Sequence, residues 1–168
     1  PANLQFTTVQ YPPLPRPLAN LSAVKDGEYI YVIGGDDGDC SYNSLFRLNL
    51  NTLSSWEQLE DMPGPSRSFH TAAVQETGFS KKLYIFSGRS VGEQSLTPLL
   101  DTYVAYDLES ESWGSLKDIV IDGKPKVLMA GSAAAVGSMS VLLYGGDTGE
   151  VFRRLEKLNL ELMKSDSS

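Results

Sequence analysis

Three stretches of the chain run apolar for four or five residues and then stop on small ones. They are Tyr29 to Ile33 before Gly34-Gly35, Leu83 to Phe86 before Ser87-Gly88, and Val141 to Tyr144 before Gly145-Gly146. Short runs rich in β-branched and aromatic residues and closed by glycine predict buried strands. The doublets begin at positions 34, 87 and 145, so the copies lie 53 and 58 residues apart. A spacing of that kind marks an array of similar modules. Upstream of each copy is a small-residue strand ending in Ala-Val: Ala23-Val24, Ala73-Val74 and Ala135-Val136. Downstream of the first two come another strand, a polar turn and a tryptophan, Trp56 or Trp113. Each unit therefore predicts four antiparallel strands, a to d, with glycines ending the second and tryptophan opening the fourth.

Taken in order, residues 1–12 align with the segment from Trp56, with Phe6 in the tryptophan's place, and predict an isolated fourth strand. The proline-rich turn Pro12 to Pro17 leads into a first full unit at 18–62, and a second follows at 66–116. Residues 126–149 supply strands a and b of a third unit. After them, Val151, Leu155, Leu158 and Leu162 recur at helical intervals, with Asp147 or Thr148 placed to cap. This pattern predicts an amphipathic helix over 150–164, inserted where a third strand is expected.

Composition narrows the possibilities. The formal charge is −7 over 168 residues, which argues against nucleic acid and anionic membrane as partners. No apolar run approaches the roughly 20 residues of a spanning helix. Cys40 is the only cysteine and His70 the only histidine, so no internal disulfide forms and no zinc site can be assembled. No phosphate-cradling glycine loop or serine nucleophile motif is present, and no cofactor is expected.

With its glycine doublets, Tyr106-Asp107, Trp56 and Trp113, the chain resembles the kelch repeat, the unit of one β-propeller family. Ser87 departs from that pattern, as does Leu48-Asn49 where Tyr-Asp is expected. The resemblance implies an all-β fold, a single kelch propeller portion of about three four-stranded blades. Propellers close with four to eight blades, so missing blades or self-association are expected to complete it.

In such blades the segments leading into strand a and the b–c loops share one end. Arg16, Arg67 and Lys126 stand 8, 7 and 10 residues ahead of Val24, Val74 and Val136, where they could converge on a carboxylate. The b–c loops carry Asp36, Asp37, Arg89, Glu93, Asp147 and Glu150, and His70 opens strand a of the second unit. Carboxylates beside a guanidinium suit acid–base chemistry on a sugar, although Asp after a strand is also a good turn former.

Residues 128–166, and Gly64-Pro65-Ser66-Arg67 before them, further resemble bacterial N-acetylneuraminate epimerases, the sialic acid mutarotases, including their cyclically permuted relatives. That resemblance implies an isomerase that opens and recloses the sugar ring by acid–base chemistry, in a periplasmic setting, with a small anionic sugar as substrate. Arg67, Arg89 and Glu93 are then the candidate catalytic groups. Arg16, Asp36, Asp37, His70, Lys126, Asp147 and Glu150 are the candidate sugar-binding groups. The family's Glu and Arg catalytic pair, from a later blade, has no counterpart here. The alternative is a kelch module that binds a protein partner without catalysis.

Overall fold

The computed structural model describes residues 8–92, 100–121, 123–125, 127, 129–137, 140–146 and 155–159. The first blade is the antiparallel meander β1 (Ser22–Asp26), β2 (Tyr29–Ile33), β3 (Leu45–Asn49) and β4 (Glu57–Gln58). The second is β5 (Thr71–Thr77), β6 (Ser80–Phe86), β7 (Thr102–Asp107) and β8 (Ser112–Trp113), with β9 (Lys117–Asp118) also pairing with β7. A small hairpin, β10 (Val120–Ile121) and β11 (Lys124–Pro125), turns at Gly123. The third sheet is β12 (Ser132–Val136), β13 (Ser140–Tyr144) and β14 (Leu155–Asn159). The expected all-β class and partial-propeller organisation are therefore present.

The helix expected over 150–164 is not. Leu155–Asn159 is a strand paired along β13, while 147–154 and 160–168 lie outside the described residues. Leucines spaced by three and four fit a helical stripe, but the open backbone edge of β13 needs hydrogen-bond partners that only another strand supplies. The signal for this strand was in the sequence. Leu155-Glu-Lys-Leu-Asn-Leu160 repeats Leu45-Phe-Arg-Leu-Asn-Leu50. Both segments pair in one register, Tyr29 opposite Asn49 and Ser140 opposite Asn159. The helical excursion that tied the third unit to the epimerases is thus absent at 155–159. Residues 8–12 form no strand, and 1–7 lie outside the described residues.

The same register explains the departure at Leu48-Asn49. Lys82 pairs with Asp107 as Tyr29 pairs with Asn49. Asp107 Oδ1 accepts bonds from the Glu109 and Ser110 amides, as Asn49 Oδ1 does from those of Asn51 and Thr52. Both side chains close the same turn, so asparagine substitutes for aspartate without loss.

Because side chains alternate across a strand, each sheet has one face toward the next blade and one toward the preceding blade. Tyr31, Ile33 and Leu45 meet Leu83, Ile85, Val104 and Tyr106 in the first interblade core. Phe86, Tyr103 and Ala73 meet Val141 and Leu143 in the second. Complete burial of aliphatic and aromatic side chains such as Ile33, Phe86 and Leu83 stabilises by about 1.5–3 kcal/mol each. Tryptophans latch each blade to the segment before it, Trp113 Nε1 donating to Glu60 O and Trp56 Nε1 to Pro12 O, both at 2.8 Å.

At the end shared by the b–c loops, the doublets let backbones cross. Gly88 has φ +97, and a Cβ there would lie 2.7 Å from Ser68 O. Ser87 is tolerated at φ 60 because its hydroxyl donates to Leu100 O at 2.8 Å. Gly88→Ala should therefore destabilise by about 2 kcal/mol or more, whereas Ser87→Gly should stay within about 1 kcal/mol. Urea denaturation of the two variants separates these outcomes.

Candidate functional site

The site is built where each strand a begins. Asn20, Phe69 and Ala130 stand at one register of successive blades, and all three hold left-handed backbone, φ 52, 54 and 57. They are chained across the blades: the Phe69 amide donates to Asn20 O at 2.9 Å and the Ala130 amide to Phe69 O at 2.7 Å. Non-glycine residues accept that conformation only where their surroundings enforce it. The b–c loops clasp this ring. Gly35 N donates to Arg67 O, Ser68 and Arg89 exchange two backbone bonds of 2.9 Å, and Ser41 pairs with Val91.

This register revises the expected basic trio. Arg16 and Lys126 stand four residues ahead of Asn20 and Ala130, but Arg67 stands two ahead of Phe69. The positions equivalent to Arg67 are therefore Leu18 and Leu128. Lys126 lies outside the described residues, as do Glu93, Asp147 and Glu150.

Arg67 is 0% exposed. Its Nη1 donates to Ser87 O at 3.1 Å and Thr102 O at 3.2 Å, and its Nη2 to Thr102 Oγ1 at 3.4 Å. Burial pulls its pKa down to about 10. It braces the b–c loop against β7 from beneath, so the carboxylate grip expected of it is closed to a ligand. His70 is buried under the same loops, with its ring against Gly34. Burial first, and then the Arg67 charge, push its pKa down to about 3, which keeps it neutral.

Asp36 is also buried. It accepts from Asn20 Nδ2 at 3.0 Å and from the Gly38 amide at 3.2 Å, which makes it a loop fastener. Asp37 is exposed and accepts from Tyr42 Oη at 2.6 Å and from the Asp39 and Cys40 amides. These bonds, the Tyr42 hydroxyl foremost, hold its carboxyl down near 2. A carboxylate so firmly ionised is a poor proton donor near neutral pH.

Two guanidinium groups remain at this end. Arg16 stacks over the Tyr42 ring and Arg89 over the Phe69 ring, each 4.4 Å from the centroid. Neither pairs with a carboxylate among the described residues, whereas Arg47 holds both Glu57 and Glu111. The structure thus gathers Arg16, Asp36, Asp37 and Arg89 at one end and reveals Asn20, Tyr42 and Phe69 as their partners. Sequence reasoning missed Asn20 and Phe69 because the signal, a left-handed lead-in to strand a shared with Ala130, falls on three unrelated residue types. No group of three or more His, Cys, Asp or Glu able to hold a metal ion occurs among the described residues.

Residues 3–165 match the KLHDC2/KLHL20/DRC7 Kelch-repeats domain. The chain belongs to the kelch-repeat family. A curated match is Protein ral2 of Schizosaccharomyces pombe (strain 972 / ATCC 24843), 27% identical over 118 residues. The match takes in 66% of this chain and 18% of ral2, so the chain spans less than a fifth of that protein. Among solved structures, that of YjhT superposes with a TM-score of 0.64 at 20% identity. It covers 81% of this chain and 36% of YjhT, a likeness of fold.

Two consequences can be checked. Replacing the kelch brace, Arg67→Met, removes the guanidinium bonds to Ser87 O, Thr102 O and Thr102 Oγ1 and should cost about 2 kcal/mol, read as a shift in the urea midpoint. His70 is neutral in the fold down to about pH 3 but protonates near 6.5 when unfolded. Its folded pKa is the lower, so its contribution is fully present above 6.5 and is lost as pH falls toward 3, at about 1.4 kcal/mol per pH unit. Unfolding curves between pH 7 and 4 should be flatter for His70→Asn than for the wild type.

Proposed function

We propose that this chain is a non-catalytic kelch binding module that docks a protein partner at its loop end, where Arg16 and Arg89 receive carboxylates of that partner. The observation that carries this reading is the pair of aromatic-stacked guanidinium groups without carboxylate partners among the described residues, in a chain with 21 acidic and 14 basic residues. Elsewhere the acidic surplus supplies counter-ions readily, as at Arg47 and Lys81. A planar guanidinium held flat by an aromatic ring is pre-organised for two parallel bonds to a carboxylate. Arginine and tyrosine are also residues that protein interfaces favour.

A second reading, acid–base interconversion of N-acetylneuraminate anomers, is supported by one feature: the same two guanidinium groups suit the carboxylate of an anionic sugar. The isomerase activity and periplasmic setting belong to that reading. Against it stand the surroundings of four candidate catalytic and sugar-binding groups. Arg67 and His70 are buried, Asp36 is bonded on both oxygens, and Asp37 stays ionised to about pH 2.

A fluorescein-labelled library of Asp/Glu-rich peptides, titrated by polarisation anisotropy, tests the binding reading. Arg16→Ala combined with Arg89→Ala should weaken capture by about tenfold or more, with unchanged unfolding curves. Equal binding by the double variant and the wild type would remove these residues from the interface. Proton NMR of N-acetylneuraminate anomer exchange tests the rival: the binding reading expects no acceleration by the wild-type chain.

A further inference from the structure

An exposed, firmly ionised Asp37 stands in the same loop as the ring that carries Arg16. On charge alone, its removal would favour an acidic partner. Its contacts give it another task. The loop folds back on Asp37: Oδ1 accepts from the Asp39 and Cys40 amides at 3.0 and 2.9 Å, the Asp37 amide donates to Cys40 O at 3.2 Å, and Gly38 turns at φ +100. So fixed, Oδ2 accepts from Tyr42 Oη at 2.6 Å. The Tyr42 main chain is held as well, its amide donating to Gly35 O at 2.8 Å and its carbonyl accepting from Arg67 N at 3.1 Å. The ring is thus tied at its backbone and at its hydroxyl, with the Arg16 guanidinium 4.4 Å from its centroid. Arg16 forms no ion pair with Asp37 among the described residues, so the ring is what links them. Phe69, the corresponding platform under Arg89, has no polar tip to tie.

We infer that Asp37 is a positioning residue of the loop end: its carboxylate pins the Tyr42 hydroxyl, and the pinned ring holds the Arg16 guanidinium flat for a partner's carboxylate. The inference rests on the proposed role of Arg16 as a carboxylate contact and gives Asp37 an indirect part in it. A ring free to turn about its side-chain torsions would offer the guanidinium no fixed platform, and the ordering would have to be supplied on binding. The hydroxyl remains a donor, because its bond to Asp37, foremost, pushes its pKa up against the pull of Arg16. One negative charge near the contact is the cost, and at an exposed position salt screens it.

Asp37→Ala and Asp37→Asn remove the same charge, but only alanine removes the anchor, because the asparagine amide can meet both the Tyr42 hydroxyl and the loop amides. Titrated with fluorescein-labelled hexaglutamate by polarisation anisotropy, Asp37→Ala should bind about threefold more weakly than the wild type, and Asp37→Asn at least as tightly. Tyr42→Phe should match Asp37→Ala, and combining the two should weaken binding no further. The Arg16 Cδ protons, shifted upfield by the Tyr42 ring in proton–carbon NMR spectra, should move toward the free-chain position in Asp37→Ala and stay in place in Asp37→Asn. Tighter binding by both charge-removing variants, or an Arg16 signal unmoved by Asp37→Ala, would overturn the inference. Should hexaglutamate fail to bind the wild type, the carboxylate contact at Arg16 falls while the Arg16 signal still decides what Asp37 does: displacement in Asp37→Ala upholds its hold on the ring, and no displacement ends it.

Discussion

The structure depends on how closely two backbones approach where a b–c loop meets the lead-in to the next blade's first strand. Gly35 N to Arg67 O, and the doubled bond between Ser68 and Arg89, bring main chains within 2.9 Å of each other. At Gly35 and Gly88, both with left-handed backbone, a Cβ would lie 2.7 Å from a neighbouring carbonyl oxygen. That single constraint explains the doublets, forces the left-handed turn at Asn20, Phe69 and Ala130, and sets where every loop-end side chain projects. Beneath it, Arg67 and His70 are sealed in. Above it, Arg16 and Arg89 are left stacked on aromatic rings.

Charge is distributed to match. On the flanks of the first two blades, Arg47 reaches Glu57 and Glu111, and Lys81 reaches Asp26, so opposite charges clamp neighbouring sheets. Exposed pairs of this kind contribute little each, but they consume the cations of the flanks. At the loop end Asp37 is tied to Tyr42 and Asp36 to Asn20, and among the described residues neither guanidinium group pairs with a carboxylate.

The third blade shows how packing overrides local pattern. Leu155, Leu158 and Leu162 have the spacing of a helix stripe, yet 155–159 is a strand because β13 presents a full edge of unpaired amides and carbonyls. The decisive clue was comparison with Leu45 to Leu50, a similarity between distant segments rather than a periodicity within one. Arg67 was misplaced for a related reason. Counting back from Val74 groups it with Arg16 and Lys126, but the left-handed residue that fixes the register lies at Phe69, and no residue-type rule marks it.

Sequence alone determined the array: three glycine-closed strands at similar spacing, their small-residue partners, the tryptophans and the all-β class. These follow from local rules, since alternation, turn chemistry and repetition are written into neighbouring residues. Tertiary structure decided which charged groups meet solvent and which are buried under the loops. Burial and pairing arise between segments tens of residues apart, and the same arginine is a brace or a contact depending on which backbone passes over it.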